Sequence, residues 1–175
     1  MHLKKLTEKS NEIMILEKIN EEAIPSNERT SLYDLFATGG DGGLEITGII
    51  ENGDPIGFYA LRKYKNVIYI AYFAVRRDMR SRGIGSKALS ALKDEYKGRR
   101  IVVEYERPDN DETKIRRKNF YLKNGFYETG WYNSYDEAEF EIACSEREFD
   151  ISEFECFIDH LNTIIPIRIP KPYKK

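Results

Sequence analysis

The sequence predicts an α+β fold in a single domain, residues 1–175, with helices around a mixed, mostly antiparallel central sheet. Three observations carry the prediction. LEITGII, IGFYALRKY and VIYIAYFAV, rich in β-branched and aromatic residues, follow one another between Leu44 and Val75 with short polar breaks. The segments on either side place apolar residues at helical spacing. The chain has 175 residues, 41% hydrophobic and 13% aromatic, which suits one domain with a sizeable core and excludes a disordered chain.

The elements read in order. HLKKL is a short strand candidate. Ser10 to Ala23 reads as a helix, with Ile13, Leu16, Ile19 and the following Ile24 near helical spacing. Pro25-Ser26-Asn27 interrupts it, and Glu28 to Ala37 reads as a shorter helix with Leu32, Leu35 and Phe36 on one side. The run Thr38-Gly39-Gly40-Asp41-Gly42-Gly43 reads as a flexible break. Asn52-Gly53 is a hairpin signal between the first two strands of the meander, and Lys65-Asn66 joins the second to the third. After Val75 and an arginine-rich loop, Gly83 to Tyr96 is helical, with Ile84, Ala88, Leu92 and Tyr96 on one face. Gly98 stops it. RRIVVEYE follows as a buried strand, so strand, helix and strand suggest a parallel pair joined by a right-handed crossover. Asp111 to Asn124 is helical and Gly125 stands where a C-cap glycine belongs. Phe126–Tyr132 and Glu139–Ala143 are strand candidates, which brings the sheet to about six to seven strands. Ile151 to Ile165 is a last helix with Phe154, Phe157, Ile158 and Leu161 on one face. The tail from Pro166 to Lys175 holds three prolines and reads as extended.

Charge and cysteine usage narrow the function. The net charge is −2, which provides no global field for nucleic acid or an anionic membrane, so any anion site must be local. Two cysteines, Cys144 and Cys156, and two histidines, His2 and His160, offer no zinc-ligand spacing, and no metal is expected. MHLKKLTEKSNE lacks the apolar run of a signal peptide, and no 18-residue apolar stretch occurs, so a cytoplasmic protein is expected.

The chemistry is most legible in RSRGIGSKAL, Arg80 to Leu89. Gly83-Ile84-Gly85-Ser86-Lys87-Ala88 imitates the G-x-G-x-x-A of a dinucleotide site, and Glu104 lies about 20 residues on, as that fingerprint asks. That fingerprint needs its first glycine at the strand end. Here seven residues separate Val75 from Gly83, and the upstream strands form a meander. A Walker A motif is absent. What remains is a loop entering a helix, with Ser81, Gly83, Gly85 and Ser86 as small residues and Arg76, Arg77, Arg80, Arg82 and Lys87 around them. A helix start offers unsatisfied N–H donors and a partial positive charge to a phosphate. A solvated basic loop with glycines for turn geometry is the other reading of the same residues.

In context, VRRDMRSRGIGSKAL closely resembles motif A of the GCN5-related N-acetyltransferases (GNAT), with Arg80-x-x-Gly83-x-Gly85 after a strand and before a helix. NFYLKNGF resembles the family's motif B, a helix carrying a tyrosine, Tyr121, and ending in Gly125-Phe126. The resemblance covers about residues 3 to 145; residues 150–175 carry no motif of it.

The resemblance implies a GNAT fold and an acetyl-CoA-dependent N-acetyltransferase. Acetyl-CoA would be the acetyl donor and the amine of a small molecule or peptide the acceptor. No nucleic acid or membrane partner is expected, and a homodimer is possible. The resemblance places the pyrophosphate over Arg80, Ser81, Arg82, Gly83, Ile84, Gly85 and Ser86, and the pantetheine along Phe73, Ala74 and Val75, with the thioester between the splayed ends of this strand and the one at Val102–Glu104. Tyr121 maps onto the general acid, and Glu104 is the candidate base; a core tyrosine and a solvent-facing or salt-bridged glutamate near a sheet edge are the rival readings. Some members carry a Glu where Ala71 stands, so that role is vacant. Tyr72 and Glu106 are secondary candidates for substrate contact. Lys114 occupies the position of a frequent cofactor-contacting Asn, and Asn119 is the displaced alternative. Arg116-Arg117-Lys118 face either phosphates or solvent. The loop Pro25–Arg29, with Glu28, and the aromatics Trp131 and Tyr132 are candidates for the acceptor site. Three rivals stand beside this reading: a non-catalytic CoA-binding module with a sensing or partner-binding role, a nicotinamide-dependent oxidoreductase, and a partner-binding protein using the 150–175 tail.

Overall fold

The computed structural model describes residues 1–26, 28–39 and 44–175. The expected break at Thr38–Gly43 falls at 40–43 outside the described residues, as does Asn27. The chain divides into two compact units, Met1–Lys63 with Ile70–Lys97, and Tyr64–Tyr69 with Gly98–Lys175.

The first unit holds β1 (His2–Lys5), α1 (Ile13–Ala23), α2 (Leu32–Gly39), β2 (Leu44–Glu51), β3 (Asp54–Tyr64), most of β4 (Val67–Val75) and α3 (Ile84–Glu95). β1 pairs antiparallel with β2, and β2 with β3. The hairpin signal at Asn52-Gly53 forms the expected turn: both residues have positive φ, 52° and 87°, the pair of values a type I′ turn requires. Near this turn the β2–β3 register shifts by one between Ile49 and Ile50, a β-bulge at Ile56. α1 and α2 pack one face of the strands, where Leu16, Ile19, Leu32, Ile46, Phe58 and Ala74 share a buried cluster.

α2 begins at Leu32, four residues later than its apolar pattern suggests. Ser31 explains the start: its Oγ accepts from the Asp34 N–H at 3.0 Å and donates to Asp34 Oδ2 at 2.7 Å. Glu17 of α1 accepts the Leu32 N–H at 2.7 Å. Residues 28–30 stay in a loop, held where Asn20 Nδ2 donates to the Thr30 carbonyl at 2.9 Å.

The second unit holds β5 (Arg100–Glu106), α4 (Glu112–Lys123), β6 (Tyr127–Tyr135), β7 (Ala138–Cys144), α5 (Ile151–Ile164) and β8 (Tyr173–Lys174). Among the described residues the hydrogen-bonded strand order is β1-β2-β3-β4-β5-β7-β6-β8, eight strands flanked by helices where about six to seven were expected. The extra strand is β8, which pairs antiparallel with β6 through Trp131 and Tyr132. β6 also runs three residues past Tyr132, to a turn at Asp136.

Helix starts follow side-chain chemistry. Asp111 Oδ1 accepts from the N–H groups of Thr113 and Lys114 at 2.6 and 3.1 Å, and Asp150 caps α5 in the same way. Gly125 ends α4 with φ 72°, as its position predicts. α5 buries Phe154, Phe157, Ile158 and Leu161 against Val102, Ile142 and Cys144, each large side chain contributing about 1.5–3 kcal/mol. The opposite face of β5 meets α4, where Tyr105 and Tyr121 stack at 5.8 Å between ring centroids. The tail is part of the unit. Asn162 clasps Ile169 through two bonds, Nδ2 to the carbonyl at 2.9 Å and Oδ1 from the N–H at 2.7 Å. Tyr173, Lys175 and Arg107 converge on Glu139, which holds its carboxyl at a pKa of about 2.

Candidate active site

The arginine-rich loop is built from the strand end outward. Gly57 on β3 faces the last residues of β4; a Cβ there would lie 2.4 Å from the Ala74 carbonyl oxygen. The missing side chain lets β3 approach Ala74 and Val75, both buried. Phe73 stacks on Tyr59 at 4.5 Å between centroids. The bulged Ile56 then offers its carbonyl to the Arg76 N–H at 2.8 Å, which fixes where the strand stops. A single 3₁₀ turn, Arg77–Met79, follows. Arg80 reaches back and donates from Nε to the Val75 carbonyl at 2.9 Å. The seven residues after the strand thus form an arch braced at its foot.

Beyond the arch, Ser81 and Gly83 have φ of 60° and 74°. Glycine takes this conformation freely; for serine it costs about 1–2 kcal/mol. Such left-handed steps turn successive N–H groups into an anion-binding concavity. α3 starts at this point without a side-chain cap and with no acidic residue in its first turn. α4 and α5, by contrast, each carry a capping Asp and a first-turn Glu. The first N–H groups of α3, at Ile84, Gly85 and Ser86, are therefore open to an external acceptor. Arg77, Arg80, Arg82 and Lys87 are exposed around them, while Arg76 is engaged by Asp78 at 2.7 Å. The loop has the donors, charge and curvature that a pyrophosphate needs.

In the same unit, the Tyr72 hydroxyl lies 3.2 Å from the Glu28 carbonyl and 3.3 Å from Thr30 Oγ1, so it ties the α1–α2 loop to β4.

The other candidates lie in the second unit. Strand alternation puts Glu104 on the α5 face of β5 and Tyr105 on the α4 face. Glu104 takes hydrogen bonds from Asn133 Nδ2 to Oε1 at 2.9 Å and from the Tyr135 hydroxyl to Oε2 at 2.8 Å, and Tyr69 acts on it in the same lowering direction. Burial raises the pKa of this carboxyl, and Tyr135, Asn133 and Tyr69 only partly offset it. Tyr121, on the opposite face, is buried among Tyr105, Phe120 and Phe126. Burial pushes its hydroxyl up to about 12, and Arg117, one helical turn earlier, acts in the lowering direction.

The remaining candidates separate. Asn119 is exposed on α4. Lys114 pairs with Glu106 at 2.6 Å, which occupies that second carboxylate. Lys118 turns inward to Glu128 and Glu141, at 2.6 and 2.7 Å, so the Arg116-Arg117-Lys118 run does not act as one patch. Trp131 and Tyr132 are overlaid by the tail cations Lys174 and Lys175, at 5.2 and 5.6 Å from their ring centroids. Asn133 and Tyr135 were not singled out by sequence, although the alternation Trp131, Asn133, Tyr135 was available as a signal.

A sheet of this order with an arched, glycine-bent basic loop entering an uncapped helix is an acyltransferase architecture. The chain belongs to the GNAT acetyltransferase family: the family described as Acetyltransferase (GNAT) matches residues 13–126. The fold is similar to that of a GNAT-family protein from Bacteroides thetaiotaomicron, with 26% identity, a TM-score of 0.77, and coverage of 94% of this chain and 97% of that one. It is also similar to an acetyl-CoA-bound GNAT acetyltransferase from Elizabethkingia anophelis, at 19% identity and TM-score 0.58, covering 81% of this chain and 95% of that one. A third likeness is to the ribosomal-protein-S18-alanine N-acetyltransferase of Escherichia coli, at 18% identity and TM-score 0.61, covering 81% and 90%. A comparison with curated proteins gives no match. No helix among the described residues is long and apolar enough to cross a membrane.

Proposed function

We propose that the chain is an acetyl-CoA-dependent N-acetyltransferase that moves an acetyl group directly to a primary amine of a small molecule or peptide, within one domain spanning 1–175. The observation that carries this reading is the loop Arg80–Ser86, bent at Ser81 and Gly83 into the uncapped start of α3. Its N–H groups would hold the pyrophosphate, each charge-assisted contact contributing about 1.5–3 kcal/mol. Phe73, Ala74 and Val75 would carry the pantetheine, and Asn119 would make a further contact.

An alkyl ammonium with pKa near 10.4 is no nucleophile until it loses a proton. Glu104 is the proposed base. Its burial-raised pKa suits it to accept that proton and pass it to solvent. The freed nitrogen attacks the thioester carbonyl, forming C–N. As the adduct collapses and C–S breaks, nitrogen sheds its second proton and sulfur gains one. Tyr121, protonated at working pH because burial holds it at about 12, is the proposed donor to that sulfur. A phenol at that value is a weaker acid than a thiol near 8.5. Its contribution is therefore a hydrogen bond to sulfur as charge develops, strengthened as Arg117 lowers the phenol's pKa, while nitrogen's second proton leaves to solvent and the thiolate takes one from solvent. The unpaired cysteines, Cys144 and Cys156, suit the cytoplasmic setting we propose.

The test is thiol release from acetyl-CoA with a panel of amines, polyamines, amino acids and peptides. Turnover of a primary amine supports the reading. Acetyl-CoA binding without turnover across the panel would reassign the chain to a CoA-binding module.

A further inference from the structure

Glu104, half-buried on β5, differs from the buried carboxylates Glu45 and Glu141. Glu45 pairs with Lys5 and Lys63, at 2.6 and 2.8 Å, and Glu141 pairs with Lys118 at 2.7 Å. Among the described residues, the hydrogen bonds to Glu104 come only from neutral groups, Asn133 and Tyr135, and no cation pairs with it. A carboxyl kept only to hold the fold together is better served by a cation, because an unpaired charge away from water is costly.

The donors are themselves organised. Asn133 is fully buried, and its Nδ2 reaches both Glu104 at 2.9 Å and the Tyr135 oxygen at 3.2 Å. Among the described residues its Oδ1 has no partner. A buried amide with one end unsatisfied destabilises the fold, and an apolar residue of similar shape would avoid that loss. The position therefore gains from the donor end of Asn133. Tyr135 is fixed by an edge-on contact with Phe140 at 5.2 Å between centroids. A bulge in β6 sets the register: three residues, Thr129–Trp131, oppose Ile142 alone, and Thr129 Oγ1 secures them by donating to the Ile142 carbonyl at 2.9 Å and accepting from the Trp131 N–H at 3.1 Å. Without it, residue 131 would stand where Asn133 stands opposite Phe140.

We propose that Asn133 and Tyr135 are positioning residues that hold the Glu104 carboxylate so that one of its acceptor sites faces the amine. An ionised carboxylate has about four acceptor sites, so the bonds from Asn133 and Tyr135 leave room for the ammonium proton. This inference rests on the reading of Glu104 as the base. It assigns Asn133 and Tyr135 of β6 a role in proton removal.

Titratable neighbours do not compete for Glu104. On β5, Glu106 pairs with Lys114 at 2.6 Å. On β7, the buried Cys144 thiol is pushed up, so it stays neutral. On α5, Glu153 pairs with Arg100, Asp159 with Lys171, and His160 stacks on Tyr64. Tyr69 on β4 and Tyr135 on β6 are phenols, and Tyr135 is raised by burial and by Glu104 itself. Glu104 is therefore the group expected to set the acid limb of the pH profile. Removing a donor to its ionised form raises its pKa, so the acid limb moves to higher pH.

The experiment compares wild type, Glu104→Gln, Tyr135→Phe, Asn133→Leu and the exposed control Ser134→Ala. It uses acetyl-CoA and the first amine turned over in the panel above. kcat/KM is followed against pH, and the Glu104 carboxyl ¹³C shift is titrated in the free proteins. Tyr135→Phe keeps the ring that packs on Phe140, so it remains informative should Asn133→Leu fail to fold. The expected result is a limb and a carboxyl titration both raised by about one unit in Tyr135→Phe. Activity should fall roughly tenfold below the limb and little above it, with KM for acetyl-CoA unchanged. Wild-type profiles in Tyr135→Phe, or a loss of rate without a shifted limb, overturn the positioning role while leaving Glu104 as base. Full activity in Glu104→Gln, or no amine turned over at all, overturns the reading beneath it and this inference together.

Discussion

Gly57→Ala probes whether the end of β4 carries acetyl-CoA. The added Cβ would stand 2.4 Å from the Ala74 carbonyl oxygen, 3.2 Å from Ile49 Cδ1 and 3.3 Å from Val75 Cα. Carbon–oxygen contacts ordinarily begin near 3.3 Å, so β3 and the end of β4 must part by about 0.9 Å. The nearest obstacle is backbone and cannot rotate away. Overpacking of this kind costs about 1–3 kcal/mol, or roughly 2–12 °C in Tm at this chain length. If β4 must return to its original place to pair with pantetheine, strain relieved in the free protein reappears on binding, as a roughly 5–150-fold weaker Kd. Calorimetric titration with acetyl-CoA measures this. Gly53→Ala is the control: φ there is 87° and nothing lies within 4 Å of an added Cβ. It adds left-handed strain of about 1–2 kcal/mol at the β2–β3 turn and should lower Tm while leaving Kd unchanged. An unchanged Kd and Tm in Gly57→Ala would refute the argument. Equal weakening in both variants would show that Kd reports general loosening instead.

Other expectations follow from the same geometry. Tyr121→Phe should lower kcat by about 10²-fold with acetyl-CoA binding intact, and full activity would remove Tyr121 from the chemistry. Glu45, near-buried with Lys5, Lys63 and the Tyr96 hydroxyl, has its pKa lowered from 4.5 to about 2 in the fold. A lowered folded pKa stabilises above the unfolded value. The stability gap between wild type and Glu45→Gln, up to about 2 kcal/mol after solvent screening, should be full at pH 7 and close as pH falls from 4.5 towards 2. Urea titrations at pH 7, 4 and 3 measure it, and a gap independent of pH would contradict the assignment. Asn162→Ala removes both bonds to Ile169, so limited proteolysis should cut after Ile165 at least tenfold faster, at a cost of about 1–3 kcal/mol. Wild-type cleavage would mean that β8 and Glu139 hold the tail alone.

The legible parts of the fold were those decided by local chemistry. Asn52-Gly53 demands a turn, Gly125 ends α4, and the apolar face of α5 packs as its spacing requires. The late start of α2 was less visible, because Leu32 fits the helical pattern whether the helix begins at Glu28 or at Ser31. Only the Ser31–Asp34 pair and the reach of Glu17 from α1 decide it. β8 was illegible for another reason. Pro166, Pro170 and Pro172 correctly forecast an extended tail, but a two-residue strand has no period of its own. Its place follows from Glu139, which gathers Tyr173, Lys175 and Arg107 across more than thirty positions in sequence.

The site divides along the same line. The Arg80–Ser86 loop is contiguous, so its small residues and arginines could be weighed together, and the structure adds only how the arch is braced, by Ile56 and Val75 carbonyls that no motif encodes. Glu104 belongs to the opposite case. Its alternation partner on β5 was readable, but its environment is supplied by side chains 29 and 31 positions later, from beyond the intervening strand β7. A three-residue bulge at Thr129–Trp131 sets where they arrive, and bulges leave no periodicity to read. Had β6 continued in register, the alternation of Trp131, Asn133 and Tyr135 would have kept its face but lost its position by two residues. Asn133 would then pass from its place opposite Phe140 to one opposite residue 138. The environment proposed to tune Glu104 is therefore a property of strand register, and substitutions at Thr129 or Gly130 should shift the acid limb without touching Glu104.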